Sequence, residues 1–402
     1  MILSTIENLK KNNCCGCTSC VQKCPKNAIE MVEDKEGFLF PSINKEKCIN
    51  CGLCVKTCPM LNYEIEKKEN FPKTLAIKNK NQLEKMKSSS GGVFIVLAKN
   101  IIENGGVVYG AAYTKELSVE HIRVDKIDEL IKLQGSKYVQ SNMNDTYSRV
   151  KKDLQENVKV LFTGTPCQVK GLKNFLDKDY NNLLTCDLVC HGVPSQKLFK
   201  KYINFLEEKY KKKIKNYDFR NKEKKGWGLT SKVIFDDGTS RYINSDFDPY
   251  YSNFLNCNTY RESCYNCKFA KTDRPSDITL ADYWGVLSIH NDFYDKIGVS
   301  LILVNTEKGM KTIEENRNSF EMIETDLNYA SSRNKNLITP SKRPLKRDVI
   351  YDKIDELSSK EYCQKVLKYK ITPKKILKLF IPDKLKKNIK KYIIKIKRYK
   401  ND

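Results

Sequence analysis

The chain has 402 residues, with 40% hydrophobic and 10% aromatic content. That is enough for two to four domains with their own cores, and it excludes wholesale disorder. The formal net charge of +24 rests on 73 Lys and Arg against 49 Asp and Glu, but Lys greatly outnumbers Arg and no nucleic-acid motif is recognisable, so the charge does not by itself point to a nucleic-acid binder.

The first residues, MILSTIENLKKNN, carry no apolar core of secretory length. The longest apolar runs, VFIVLA (93–98) and VSLILV (299–304), are too short to span a bilayer. The expected location is cytoplasmic. Sixteen cysteines in such a protein suggest metal or redox work rather than disulfides.

Residues 14–25 read CCGCTSCVQKCP and residues 48–59 read CINCGLCVKTCP. Both contain C-x2-C-x2-C-x3-C-P. The spacing resembles that of bacterial two-cluster ferredoxins, in which three close thiolates hold one 4Fe-4S cube and the fourth reaches the other cube. The resemblance implies that Cys14, Cys17, Cys20 and Cys58 hold one cluster, and that Cys48, Cys51, Cys54 and Cys24 hold the second. Zinc is the alternative, but it takes four ligands from two separated pairs and leaves the remaining cysteines unexplained. Cys15 falls outside the spacing and reads as a spare thiol beside a cluster. Between the runs, KNAIEMVEDKEGFLFPSINKEK reads as a strand, a turn at DKEG and a second strand.

KKENFPK (67–73) reads as a linker. In SSSGGVFIVLAKNIIENGGVVYGAAY, Ser88, Ser89 and Ser90 are candidate caps for a helix running to about Asn104, Gly91 and Gly92 allow close backbone approach, and VVYGAAY is a strand. Such a helix start suits an anion or is simply a cap. GSKYVQS (135–141) places Lys137 in a Gly/Ser loop, where taken alone it reads as a solvated lysine.

VKVLF is a short buried strand, and GTPCQVKGLKNFL is its turn and helix, with Cys167 in the turn. NLLTCDLVCHGVPS repeats the pattern, with Cys190, His191 and Gly192 in the turn and a helix from about Pro194. Loops after strands of an α/β sheet are where such folds bind ligands, so Cys167 and Cys190 are expected in one crevice. Cys264 and Cys267 form a later C-x2-C pair. Four thiols on three loops suit a third 4Fe-4S site, zinc, or no ligand at all. Cys186 lies on the strand facing the other way, and Cys257 and Cys363 have no evident partners.

LFTGTPCQVKGL, CDLVCHGVPS and RESCYNCKFA…RPSDITLADYWG, with SSSGGVF and GSKYVQS upstream, resemble the beta-subunit family of coenzyme F-420 hydrogenases and dehydrogenases over about residues 75–310. The resemblance implies a flavoprotein binding flavin adenine dinucleotide (FAD) and iron–sulfur clusters, with coenzyme F-420 or another hydride carrier as its small-molecule redox partner. It also implies an electron donor or acceptor protein, and some relatives are associated with surface polysaccharide synthesis. On this reading Cys167, Cys190, Cys264 and Cys267 are ligands of a third cluster. The flavin would lie among Ser88, Ser89, Ser90, Gly91, Gly92, Lys137, Thr163, Gly164 and Thr165. His191 is either the proton-handling catalytic group or the residue that orders its turn. FRNKEKKGWG and the hairpin VIFDDGTSRYI are expected to cover the site, with Trp227 as a wall. An electron-carrying adaptor with clusters but no working flavin site is the rival reading.

The expected fold class is α+β to α/β. A small ferredoxin-like two-cluster domain (1–66) precedes the two halves of a mixed α/β flavin-binding domain (74–155 and 156–330) and a basic helical tail (331–402). Residues 371–402 hold twelve Lys and Arg against Asp383 and Asp402. Leu385, Ile389, Tyr392, Ile393 and Ile396 recur there at helical spacing. The segment suits either a helix docked on its own core or peripheral contact with anionic lipid at the inner face of a membrane.

Overall fold

The computed structural model describes residues 5–65 and 69–368. The basic segment 371–402, and the start of the expected linker, lie outside the described residues. No helix among the described residues is long and apolar enough to cross a membrane.

The first module is small. Strands β1 (Ile29–Glu33) and β2 (Leu39–Ile43) pair antiparallel, Ile29 opposite Ile43. The turn between them closes on Asp34, whose carboxylate accepts the Glu36 and Phe38 amides at 3.0 Å each, and Gly37 supplies the positive φ of +86°. Each cysteine run forms a loop and a short helix, Ser19–Lys23 and Leu53–Thr57.

The main domain is built on an eight-stranded mixed sheet. Its strands are β3 (Lys73–Asn79), β4 (Val107–Tyr113), β5 (Val119–Val124), β6 (Val160–Gly164) and β7 (Leu183–Leu188). Further along the chain come β11 (Ile278–Asp282), β12 (Ser300–Val304) and β13 (Phe320–Glu324). The intervening β8 (Ile214–Asp218), β9 (Thr230–Phe235) and β10 (Ser240–Asn244) form a separate antiparallel sheet. The order in the large sheet is β13-β3-β12-β11-β7-β6-β4-β5. Its centre, β4, β6, β7 and β11, is parallel, and the flanking pairs are antiparallel.

Parallel strands are covered on both faces, which is why VVYGAAY and VLFTG read as continuous apolar runs. The two-residue alternation sorts them all the same. Val108 and Leu161 join the core under the helices Val93–Glu103 and Glu307–Glu315. Tyr109 and Phe162 join the opposite core, under Thr146–Gln155 and Pro166–Leu176.

The cap expected from the serines is not formed. Gly92, in the left-handed conformation at φ +84°, is the N-cap of Val93–Glu103, and no side chain caps that helix. Gly91 packs so closely that a Cβ there would lie 2.4 Å from the Ile77 carbonyl oxygen. Ser88 ends the preceding helix Gln82–Lys87 and donates to Glu84 O at 2.9 Å. Backbone approach, not side-chain capping, sets this turn.

Candidate functional site

The first module lies directly on the main domain. Ser19 Oγ donates to Gly171 O at 3.0 Å, and Lys23 Nζ donates to Phe175 O at 2.8 Å. A Cβ on Gly171 would come within 3.2 Å of Cys17 Sγ, so a glycine lets the helix Pro166–Leu176 touch the cysteine loop. Arg261, only 1% exposed, holds the other side of that loop. Its Nε donates to Cys14 O at 2.6 Å, one Nη donates to Leu39 O at 2.8 Å, and the other to Gln140 Oε1 at 3.2 Å.

Cys14, Cys17, Cys20 and Cys58 are all buried and lie within mutual electrostatic reach. Burial, then the neighbouring Cys14 and Cys54 thiols, push Cys58 up to about 11. Cys24, Cys48, Cys51 and Cys54 line one small pocket. Cys58 thus neighbours the first run and Cys24 shares a pocket with the second, while Cys54 also lies within electrostatic reach of Cys20 and Cys58. Cys51 is exposed. As the side chains stand, no group of three or more His, Cys, Asp or Glu among the described residues could hold a metal ion.

A second cavity encloses about 2100 Å3, its open mouth included. It sits at the C-terminal ends of β6, β7 and β11, which deliver Thr163–Cys167, Leu188–Val193 and Asp282 to its walls. The capping box of Thr165 and Gln168 starts the helix after β6 and fixes the turn carrying Cys167. Cys264 and Cys267 reach the same cavity from the short helix Glu262–Asn266 and its end. Cys167, Cys190, Cys264 and Cys267 are within electrostatic reach of one another; burial raises Cys190 to about 12 and Cys267 to about 11. Arg274, paired with Asp187 at 3.1 Å in the interior, donates to Phe269 O and Leu188 O and so seats the Cys267 loop against β7. Cys15 interacts with both the Cys17 and Cys167 thiols. It thus stands between the first cysteine group and the second cavity.

Ser88, Ser89, Ser90, Gly92, Lys137, Thr163, Gly164 and Thr165 all line this cavity. Gly91 is turned away onto Ile77 and Ser300. The serine segment and the Lys137 loop are tied together: Ser89 Oγ accepts the Ser136 amide at 2.8 Å, and Ser88 Oγ accepts from Gln134 Nε2 at 3.1 Å. Lys137 is not the solvated lysine its loop suggested. Its ammonium donates to Gln134 O and Gly135 O at 3.0 and 3.3 Å, and burial lowers its pKa to about 8. His191 lines the cavity with an exposed face, and the surrounding wall holds its pKa below the usual value.

Trp284, Asp282 and His121 are among the cavity-lining residues that the sequence did not single out. Trp284, rather than Trp227, forms the wall; Trp227 stacks behind it, ring centres 5.0 Å apart and 7° from parallel. Asp282 accepts from Trp227 Nε1 at 2.7 Å and pairs with Arg220 at 2.7 Å. His121 comes from the edge strand β5. Asp282 and Trp284 lie within the string RPSDITLADYWG. His121 carried no local signal beyond the scarcity of histidine, three in the chain.

Residues 157–328 match the family described as the C-terminal part of the coenzyme F-420 hydrogenase/dehydrogenase beta subunit. Residues 7–66 and 40–93 each match a 4Fe-4S dicluster domain. Among solved structures, a xenon-derivatised F-420-reducing nickel–iron hydrogenase complex from Methanosarcina barkeri is similar to this chain at 14% identity and a TM-score of 0.46, covering 68% of this chain and 92% of that one. No curated protein matches. The chain thus joins an N-terminal stretch that matches a 4Fe-4S dicluster domain to a stretch, residues 157–328, related to the C-terminal part of the coenzyme F-420 hydrogenase/dehydrogenase beta subunit, a pairing of the iron–sulfur, oxidoreductase-type electron-transfer kind.

Proposed function

We propose that the large cavity is a flavin dinucleotide site, and that Cys167, Cys190, Cys264 and Cys267 hold a third 4Fe-4S cluster beside it. One observation carries this reading: four cysteines from three separate segments converge on the same cavity as the serine segment and the Lys137 loop. Four thiols are a donor set for an iron–sulfur cube, and hydroxyls, loop backbone and one ammonium suit a pyrophosphate. A bound flavin would exchange electron pairs with a hydride carrier and single electrons with clusters.

The residues divide the work. Lys137 supplies positive charge, held in place by two carbonyls. Trp284, backed by Trp227 and by the Arg220–Asp282 pair, offers a rigid aromatic wall. His191, at the open side, is placed to hold or release a proton beside an entering hydride carrier, for which coenzyme F-420 is a candidate. Cys15, touching Cys17 and Cys167, marks the approach between the cavity and the first dicluster group. The exposed Cys51 marks the face where a donor or acceptor protein would dock.

The test is anaerobic purification followed by flavin extraction and iron and sulfide counts. The expected result is flavin released on denaturation, with about twelve irons per chain from three 4Fe-4S clusters. About eight irons and no flavin would leave the electron-carrying adaptor and defeat the proposal.

A further inference from the structure

Residues 88–90 line the large cavity, yet two of their carbonyls are held from behind. Arg220 Nη2 donates to Ser89 O at 3.3 Å, and Lys222 Nζ donates to Ser90 O at 2.6 Å. Lys222 also donates to Lys85 O at 2.8 Å. Both cations are buried, 4% and 2% exposed, and neither lines the cavity. They draw toward the back of the turn two carbonyls that would repel an anion in front of it. The helix Val93–Glu103 starts just beyond, with no side-chain cap on its first amides, and such a helix start favours negative charge.

The charges behind this turn do not balance. Arg220 pairs with Asp282 at 2.7 Å, and the fully buried Lys85 pairs with Asp295 at 2.6 Å. Glu223, the next residue in the chain, is committed to Lys232 at 2.7 Å. Lys222 is left with two neutral carbonyls and, among the described residues, no carboxylate in salt-bridge contact. A buried ammonium without a counter-charge is costly. Burial, then the Arg220 charge beside it, brings the Lys222 pKa down to about 7, with Lys85 adding to the effect and Asp282 and Asp295 opposing it. On the cavity side Lys137 supplies one more cation, within electrostatic reach of Asp218.

We infer that the counter-charge of Lys222 arrives with the ligand: a phosphate group seats on the cavity side of the 88–92 turn, and Lys222 acts on it from behind as a positioning residue. The inference rests on reading the cavity as a flavin dinucleotide site, so the anion is the pyrophosphate of FAD. Lys222 does not touch the ligand. It holds the Ser90 carbonyl and places a positive charge one turn's thickness away, in an interior where charges are weakly screened. Binding and protonation then reinforce each other. A seated pyrophosphate raises the Lys222 pKa above about 7, so FAD binds best below that pH and more weakly as pH rises through the raised value. Lys137, which burial lowers to about 8, adds a second step of the same sign at higher pH.

The experiment uses the anaerobically purified full chain, stripped of flavin but with its clusters in place. Equilibrium dialysis measures its binding of FAD, and of riboflavin, which lacks the pyrophosphate, from about pH 6 to about pH 9. If the parent does not bind FAD at any pH, the flavin reading fails and this inference falls with it. In the parent, FAD affinity should drop about tenfold over the step that begins near pH 7, as for a shift of one pKa unit, and riboflavin affinity should not. Lys222→Met should bind FAD about tenfold more weakly at the acid end, lack that step, keep the later Lys137 step and bind riboflavin as the parent does. Lys222→Arg, which stays charged throughout the range, should match the parent at the acid end and also lack the step. FAD binding by the parent with the same affinity and pH profile in Lys222→Met would overturn the inference. So would an equal loss of FAD and riboflavin binding at every pH in Lys222→Met, which would leave Lys222 only the task of holding the turn.

Discussion

Replacing Arg261 by Met should release the first cysteine loop while leaving the side-chain volume filled. Arg261 is 1% exposed and makes three hydrogen bonds, to Cys14 O, Leu39 O and Gln140 Oε1. Its guanidinium also lies over Phe40 at 4.1 Å and Phe38 at 5.3 Å. Bonds from a charged donor contribute about 1.5–3 kcal/mol each. Burying the guanidinium offsets part of that sum, because its desolvation is costly. Met recovers the desolvation and some packing but leaves two backbone carbonyls without their donor, so the net loss should be about 3 kcal/mol, felt mainly by the 14–20 loop. If iron is lost through local opening of that loop, a chelator should extract about four irons per chain on the order of a hundredfold faster than from the parent. The assay is chelator-trapped iron release under anaerobic conditions. Lys152→Ala is the control, since the Lys152–Glu156 pair spans 3.9 Å with side chains 76% and 57% exposed, and such pairs contribute little. An Arg261→Met release rate within threefold of the parent would refute the view that Arg261 clamps the dicluster domain to the sheet domain.

Replacing both Cys264 and Cys267 by Ser should remove about four irons per chain and keep about eight, by cluster stoichiometry; an unchanged iron count would remove the third cluster from the proposal. Lys137→Glu should weaken flavin retention without altering the dicluster spectrum, because it places a negative charge where two carbonyls already hold an ammonium; equal flavin content in variant and parent would count against Lys137 as a binding group. For the basic segment 371–402, each Lys or Arg near an anionic surface contributes about 1 kcal/mol. The full chain should float with anionic liposomes at low salt and detach at high salt, whereas a chain ending at Lys370 should not float. Equal behaviour of the two forms would exclude membrane contact through the tail.

Local order was legible in the sequence wherever it depends on near neighbours. The C-x2-C-x2-C-x3-C-P runs, the DKEG hairpin and the strand–turn–helix units around Cys167 and Cys190 are short-range patterns, set by spacing, turn residues and apolar runs. The tertiary structure decided what depends on distant partners. The Ser88–Ser90 segment looked like a helix cap, but Gly91 must pass within touching distance of Ile77 and Ser300, so the helix starts later, with Gly92 as its cap. Lys137 looked solvated, yet the Gln134 and Gly135 carbonyls draw it inward. Trp227 and Trp284 are indistinguishable as wall candidates by residue type; in the fold Trp284 lines the cavity, and Trp227 stacks behind it, bonded to Asp282 and to Lys296 O. His121 reaches the cavity because β5 pairs beside β4 and brings its ring to the Thr163 carbonyl, 42 residues away. Spacing along a chain reports which residues can act together locally; burial and hydrogen-bond partnership are made across the sheet, where sequence separation carries no information.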